Sequence, residues 1–250
     1  RGAVIVEPDS GELACGDSGE GRLADLAEIH DAVSAELSRS RDLEGVRVLV
    51  TAGPTYEPID AVRFIGNPSS GKTGYAIAEE CARRGALVTL VSGPTVLPDP
   101  FGVETIRVRT ALKMEAAVRS VYAGTNVVIA TAAVSDFRPA EPSEAKVAKH
   151  DAPRTLDLAP NPDILAGLGA EKSERVLIGF AAQTHDVEQY ARRKLAEKNL
   201  DLVVANDVSV PGRGFGSDLN EVMFVDAAGT RTLPLTSKRA IARQLVERNP

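Results

Sequence analysis

The sequence predicts an α/β fold of Rossmann-like type: a mostly parallel sheet with helices on both faces, plus a small antiparallel hairpin. Three observations predict it. From residue 46 onward, short runs of Val, Leu and Ile alternate with amphipathic, Ala-containing stretches, and such alternation implies right-handed βαβ crossovers. Apolar residues make up 43% of the chain, aromatics only 4%, and Trp is absent; the core must therefore be assembled from aliphatic side chains, as in buried parallel strands. A length of 250 residues suffices for one large domain with an appendage.

The first forty-odd residues differ from the rest. Pro8–Arg22 (PDSGELACGDSGEGR) is rich in Gly, Asp and Ser and has no apolar period, the composition of a loop or a disordered segment. Leu23–Leu37 places Leu23, Leu26, Ala27, Val33 and Leu37 at helical spacing, and the charged stretch Ser38–Glu44 follows as a link. The expected division is therefore residues 1–44 and 45–250. Val46–Ala52 is a buried strand by length and β-branching. Lys72–Arg84 is a helix with Ile77, Ala78, Cys81 and Ala82 on one face, and Gly85 ends it. Leu87–Ser92, Glu104–Val108 and Asn126–Ala132 read as further strands, with a helix over Ala111–Tyr122. Ala140–Arg154 is polar, contains Lys and is interrupted by Pro, which is the pattern of a mobile loop or lid. Strands at Arg175–Ala181 and Leu202–Ala205 flank a helix at Val187–Lys198. Glu221–Val225 and Arg231–Leu235 form the expected hairpin about Ala227–Gly229, and Ser237–Glu247 is the last helix.

Bulk properties exclude several classes. A net charge of −6 without a long basic run argues against nucleic-acid binding. No apolar stretch approaches the length of a membrane span. Arg1–Glu7 lacks the apolar region and cleavage site of a signal peptide. Cys15 and Cys81 make no disulfide framework, so a cytoplasmic setting is expected. His30, His150 and His185 are scattered without metal-ligand spacing. No Gly-x-Ser-x-Gly elbow of a serine hydrolase occurs.

Gly66–Thr73 (GNPSSGKT) matches the phosphate-binding P-loop pattern letter for letter. A true P-loop follows its strand directly and opens a helix. Here the strand ends near Gly53, and Pro54–Ile65 intervenes with two prolines, Pro54 and Pro58, which do not continue a strand. Only the helix-opening half of the context is met. What survives is a small, Gly-containing turn at a helix N-terminus, a place that suits an anion and otherwise serves as an ordinary capped turn. A dinucleotide-binding oxidoreductase is the alternative from the fold alone, but Gly53-Pro-Thr-Tyr is not a Gly-x-Gly-x-x-Gly turn opening a helix.

Read as a whole, Thr51–Gly74 (TAGPTYEPIDAVRFIGNPSSGKTG) resembles the signature of the phosphopantothenoylcysteine synthetases, also called phosphopantothenate–cysteine ligases. Ala130–Pro139 (ATAAVSDFRP), Asn161–Leu165 (NPDIL), Gly179–Thr184 (GFAAQT) and Lys194–Ser209 (KLAEKNLDLVVANDVS) resemble further blocks of that family, in its order. The P-loop-like string is the family's Asn-x-Ser-Ser-Gly-Lys block, which accounts for its displaced position. Leu13–Arg22 (LACGDSGEGR) is similar to the C-terminal clamp of phosphopantothenoylcysteine decarboxylase, the flavin enzyme fused upstream in many bacteria.

The resemblance implies a two-step ligation of 4′-phosphopantothenate to L-cysteine in coenzyme A biosynthesis, through an acyl nucleotidylate, with release of pyrophosphate and a nucleoside monophosphate. The fused bacterial ligases use CTP, which makes CTP the expected co-substrate. Mg²⁺ is expected with the triphosphate, and FMN belongs to the absent decarboxylase body. A homodimer is implied, with a larger assembly when the decarboxylase is attached. By the same resemblance Asn67 contacts the acyl nucleotidylate and Lys146, ten positions after Asp136, serves the phosphates in the first step; Lys149 lies near enough to share that role. Cys15 is the proton donor of the decarboxylase. CTP is met by Ala130, Thr131, Ala132, Asp136, Lys146, Pro162, Asp163, Ile164, Leu165, Phe180, Lys194 and Lys198, with Asp136 also a candidate Mg²⁺ ligand. Gly53, Ser69, Ser70 and Gly71 are assigned to phosphate and substrate.

The residue types suit that chemistry. Lys194 and Lys198 are four apart and share a helix face; two ammonium groups side by side repel unless an anion lies between them. Asp136 follows a strand's C-terminal end, where open α/β sheets bind ligands. Taken singly, Lys146 would read as a solvated loop lysine, Asn67 as a turn residue, Asp136 as a helix cap or a partner of Arg138, and Phe180 as plain core.

Overall fold

The computed structural model describes residues 41–150, 155–210 and 216–248 and, in the N-terminal part, 5–6, 8–12, 18–26, 29–30 and 32–33. The chain divides into two units, Arg1–Asp42 and Leu43–Pro250. In the first, β1 (Asp9–Glu12) and β2 (Ser18–Arg22) pair antiparallel, with Asp9 opposite Arg22 and Glu12 opposite Ser18. This corrects the loop reading of Pro8–Arg22. A polar, Gly-rich strand pair need not bury one face, so it leaves no alternation in the sequence, while its backbone groups pair regardless. Leu26, Ile29, His30, Ala32 and Val33 are helical, as their spacing predicts.

The second unit opens with β3 (Arg47–Ala52), a run of aliphatic residues buried from Val48 onward. Two short strands, β4 (Tyr56–Pro58) and β5 (Phe64–Gly66), form a separate antiparallel hairpin. Helix α1 (Lys72–Arg83) follows, then β6 (Leu87–Ser92), β7 (Val103–Arg107), α2 (Ala111–Tyr122) and β8 (Val127–Ala130). A second small antiparallel pair joins β9 (Phe137–Pro139) to β10 (Leu158–Pro160). The chain continues through α3 (Ile164–Ala170), β11 (Val176–Gln183), α4 (Val187–Glu197), β12 (Leu202–Asp207), β13 (Leu219–Asp226), β14 (Gly229–Ser237) and α5 (Lys238–Glu247).

Eight strands form one sheet in the order β14-β13-β12-β11-β8-β3-β6-β7. Six of them, β7 to β12 across the sheet, run parallel, whereas β13 and β14 are antiparallel additions. Numbered along the chain, the parallel strands lie in the doubly wound order 3-2-1-4-5-6. The α/β class, the parallel sheet and the hairpin expected from sequence are all present.

Alternation within strands builds two cores. Val48, Val50 and Ala52 of β3, with Ile129, Ile178 and Val204, pack on the face covered by α1 and α5. Leu49, Val128, Leu177 and Val203 point to the other face and meet Met114, Val118, Leu165, Leu168 and Ala191 of α2, α3 and α4. Each fully buried aliphatic side chain contributes about 1.5–3 kcal/mol. The helices follow the same logic. Residues Ala111, Met114, Val118 and Tyr122 recur at helical spacing on the buried face of α2, and Thr110 caps it by accepting from the Lys113 amide at 3.3 Å. Helix α1 ends where Gly85, at φ 94°, adopts a left-handed conformation that favours Gly.

Three elements lie outside the sequence reading: the β4–β5 hairpin, the β9–β10 pair and α3, which Asp163 caps by accepting from the Ala166 amide at 3.0 Å. Their three- and seven-residue lengths give a periodicity window nothing to resolve. The segment read as a lid carries hydrogen bonds within its described part: the Ser143 amide donates to the Ile59 carbonyl at 3.0 Å and the Val147 amide to Asp60 at 3.2 Å. No helix among the described residues is long and apolar enough to cross a membrane.

Leu49→Ala, which empties a fully buried position in β3, is expected to lower stability by about 2–5 kcal/mol. Leu87→Ala, at a site 60% exposed on the neighbouring strand, should change it by no more than about 0.5 kcal/mol. Urea unfolding of both variants checks the burial pattern.

Candidate functional site

The strand order reverses between β3 and β8, and open α/β sheets bind ligands beyond the carboxyl ends of the strands at such a point. Here the two segments remain joined after the strands end. The Thr131 amide donates to Thr51 at 3.1 Å, the Thr131 hydroxyl to the same carbonyl at 2.6 Å, and the Ala133 amide to Gly53 at 2.9 Å. The chain then diverges, towards the β4–β5 hairpin and α1 on one side and towards β9 on the other.

One cavity of about 370 Å³ lies against the turn Asn67–Gly74 and against Thr131–Val134, with Phe180, Asn206, Asn220 and Lys238 completing the wall. Gly71 sits at φ 76°, and a Cβ there would come within 2.7 Å of Thr95 Cγ2, so the turn requires glycine. No side chain caps α1, which leaves its first amides facing the cavity and its dipole favouring negative charge. Asn67 Nδ2 donates to the Val134 carbonyl at 3.1 Å, and Ser69 Oγ accepts from the Gly71 amide at 3.3 Å. Lys72 Nζ is 2.6 Å from Asp218 Oδ1. Burial first, and then the nearby Lys72 charge, push the buried Lys238 ammonium below the usual lysine range, against the attraction of Asp218.

A second cavity of about 390 Å³ adjoins the first and shares Ala132, Val134 and Phe180 with it. Ala130, Asp136, the run Asn161–Leu165, Lys194 and Lys198 line it. Lys198 Nζ pairs with Asp163 Oδ2 at 2.6 Å, and Lys194 Nζ donates to the Phe180 carbonyl at 2.5 Å. Burial and the neighbouring Lys198 charge bring Lys194 down to about 8, although Asp163 and Asp136 oppose the shift. Burial alone would raise Asp163, but the bonds from Lys198 and the Ala166 amide outweigh it and hold the carboxyl below its usual value.

Of the residues expected at a site, Asn67, Ser69, Ser70, Gly71 and Thr131 line the first cavity. Ala130, Asp136, Pro162, Asp163, Ile164, Leu165, Lys194 and Lys198 line the second, and Ala132 and Phe180 line both. Gly53 lines neither; at φ 75° it lies behind the turn, its amide nitrogen 3.5 Å from where a Gly71 Cβ would be. Lys146 is exposed, lines neither cavity and sits on the segment bonded to Ile59 and Asp60. Cys15 lies outside the described residues. Arg138 donates to Asn161 Oδ1 at 3.2 Å and to the Pro160 carbonyl; no Arg138–Asp136 bridge is formed among these contacts. Sequence reasoning missed Asn206, Asn220 and Lys238. For Asn206 a signal existed, since it lies at the C-terminal end of a parallel strand. Asn220 and Lys238 enter from the antiparallel strand and the last helix, which only the sheet order brings to the cavity. Among the described residues no three His, Cys, Asp or Glu side chains cluster as a metal cage.

The fold and this crevice define a doubly wound α/β protein with paired cavities at its switch point. The chain belongs to the family described as DNA/pantothenate metabolism flavoprotein C-terminal domain, whose model matches residues 43–249. The membership agrees with the motif blocks found in the sequence. The chain is 47% identical to the Coenzyme A biosynthesis bifunctional protein CoaBC of Escherichia coli (strain K12) over 251 residues, 99% of this chain and 62% of that protein. Against the protein of the same name from Bacillus subtilis (strain 168) the identity is 48% over 254 residues, 98% of this chain and 62% of that one. The chain thus spans 62% of the length of these curated relatives. Among solved structures, the C-terminal domain of CoaBC matches with a TM-score of 0.72 and 44% identity, over 83% of this chain and 95% of that one. A Cab2 mutant in complex with phosphopantothenate-cysteine shares the fold, with a TM-score of 0.66 at 19% identity over 90% and 94% of the two chains.

The depressed Lys194 makes a pH prediction. Its folded value near 8 lies below the unfolded 10.5, so the unfolded chain binds more protons between these values and stability rises with pH across that window. Lys194→Met should abolish this contribution, on the order of a few kcal/mol at most. Urea unfolding at pH 7 and pH 10 should show the wild type gaining on the variant as pH rises; an unchanged difference would refute the assignment.

Proposed function

We propose that this chain is a phosphopantothenate–cysteine ligase of coenzyme A biosynthesis that uses CTP. The observation that carries the reading is the pair of adjoining cavities, one facing the uncapped start of α1 and the other lined by Lys194 and Lys198, with Ala132 and Phe180 common to both. That arrangement suits an acyl nucleotidylate, which has an acyl phosphate at its centre and a nucleoside at one end. Family membership and the two curated relatives support the same reading.

In the first step a carboxylate oxygen of 4′-phosphopantothenate attacks the α-phosphorus of CTP; the P–O bond to the β-phosphate breaks and pyrophosphate leaves. In the second, the cysteine amine attacks the acyl carbon, the C–O bond to phosphate breaks, CMP departs and the amine loses a proton. Charge crowds most in the first step, where lysines and helix-terminal amides matter most. Asn67 would hold the acyl oxygen once it releases the Val134 carbonyl. Lys194 and Lys198 would meet the nucleotide, and Lys146 would reach the phosphates on its long flexible stem. Mg²⁺ fits the donor set. The cavity offers two exposed carboxylates, Asp136 and Asp163, of which Asp163 is already paired with Lys198, and the described residues form no metal cage; the ion would therefore be held chiefly by the phosphates and water, as Mg²⁺ usually is, where it would neutralise triphosphate charge.

Residues 1–44 would be the clamp and link of a fused decarboxylase, with Cys15 its proton donor. A homodimer in the cytoplasm, without nucleic-acid partners, completes the reading.

Pyrophosphate release should require 4′-phosphopantothenate and Mg²⁺, and should be faster with CTP than with ATP. Release with ATP that ignores phosphopantothenate would overturn the proposal. Lys146→Gln should slow the pyrophosphate-releasing step by roughly 10²–10³. Binding of CTP should be accompanied by proton uptake near pH 8, because a triphosphate returns Lys194 towards its normal value; calorimetry in buffers of different ionisation enthalpy measures it.

A further inference from the structure

The turn at the tip of the β4–β5 hairpin contains a carboxylate that the ligation chemistry does not use. The Asp60 side chain is fully buried. Its Oδ1 accepts from the Val62 amide at 2.8 Å and the Arg63 amide at 2.7 Å. Its Oδ2 accepts from Arg63 Nε at 3.0 Å, from Arg63 Nη2 at 2.5 Å and from the Val147 amide at 3.2 Å. Four of these bonds stay within the turn; the fifth reaches 87 residues along the chain. Arg63 Nη2 completes the grip by donating to the Val147 carbonyl at 3.0 Å. One carboxylate and one guanidinium therefore hold both polar groups of a single residue, and that residue directly follows Lys146. On the other side of Lys146, the Ser143 amide donates to the Ile59 carbonyl at 3.0 Å. Lys146 is thus strung between two anchors on the same turn.

The turn is itself fixed at its base. Tyr56 donates its amide to the Arg109 carbonyl at 2.7 Å, and the buried Glu57 accepts from the Ala111 amide at 2.9 Å, at the start of α2. The hairpin then runs through Gly66 into Asn67, which lines the first cavity. Bonds from the Arg63 guanidinium and from the Arg63 and Val62 amides hold the Asp60 carboxyl far below the usual carboxylate range, so it stays an acceptor throughout the working pH range.

We propose that Asp60 is a positioning residue that fixes the main chain beside Lys146 to the Asn67 hairpin, so that one rigid turn sets where both side chains start. The inference rests on the ligase reading only for the step that Lys146 serves. The anchoring itself is a property of the backbone and can be read without catalysis.

Asp60→Asn keeps the shape but replaces an acceptor oxygen by a donor, facing Arg63 and the Val147 amide. Hydrogen exchange of the full chain should show the Val147 amide opening faster by roughly an order of magnitude or more, with the β3 amides unchanged. An unchanged Val147 amide overturns the proposal. In kinetics, Asp60→Asn should lower kcat for phosphopantothenate-dependent pyrophosphate release about 10–100-fold with little change in the KM for CTP. Added to Lys146→Gln it should cost no more than about 2-fold further, since both changes act through one group. A double variant slowed by the product of the two effects overturns the proposal. Val147→Pro, which removes the one loop amide that Asp60 accepts and leaves the Asp60–Arg63 pair in place, should reproduce the loss of kcat and settles the matter if Asp60→Asn fails to fold. Should Lys146→Gln alone leave pyrophosphate release unchanged, the role of Lys146 falls, and the exchange rate of the Val147 amide still decides the anchoring.

Discussion

The rest of the structure depends on the parallel pairing of β3 with β8. Both strands are buried on two faces, so every residue from Val48 to Ala52 must be aliphatic or small, and each must choose a core by parity. Their pairing places Thr51 beside Ala130, and the bonds from Thr131 and Ala133 extend the contact past the strand ends. Because the crossovers leave this pair in opposite directions, the segments that follow separate. The space between them is where both cavities lie.

Electrostatics in that space follow from the burial of lysine side chains, Lys194 and Lys238 above all. The crevice gathers Lys72, Lys238, Lys194 and Lys198, and burial penalises the charges of Lys194 and Lys238. The protein offsets part of the penalty with its own acceptors: Asp218 for Lys72, Asp163 for Lys198 and the Phe180 carbonyl for Lys194. The two carboxylates cancel the charges of Lys72 and Lys198, whereas Lys194, held by a neutral carbonyl, keeps its own attraction for a further anion. Asp163 has two duties at once, since it also caps α3. A change in Lys198 pairing is therefore felt at the helix that forms the floor of the second cavity.

The P-loop-like string shows how local sequence and place in the fold can disagree. Its last residues do open a helix, and Gly71 takes the left-handed conformation that the turn needs. What separates it from the strand is a hairpin with its own polar centre at Asp60, and that hairpin is why the spacing failed the P-loop pattern. A segment that looks like spacer in the sequence is the part that ties α2, the glycine turn and the Lys146 segment together.

The sequence by itself settled whatever depends on short-range periodicity and on motif identity. Short apolar and β-branched runs predicted the six parallel strands of the large sheet, β3, β6, β7, β8, β11 and β12, within a few residues, because the central ones are buried on both faces and leave little room for polar side chains. The helices α1, α2, α4 and α5 were legible as amphipathic stretches between strands, α1 from an apolar face at helical spacing, and the family from blocks such as ATAAVSDFRP. The small hairpins were not legible, being three residues a strand. Nor was the reach of Asn220 and Lys238 into the first cavity, or the bond from Asp60 to Val147. Those rest on contacts between residues far apart in the chain, whose free energy depends on which strands lie side by side. Only the tertiary structure decides that order, because many orders satisfy the same alternation of apolar and polar residues while one buries both faces of the sheet and pairs its buried polar groups.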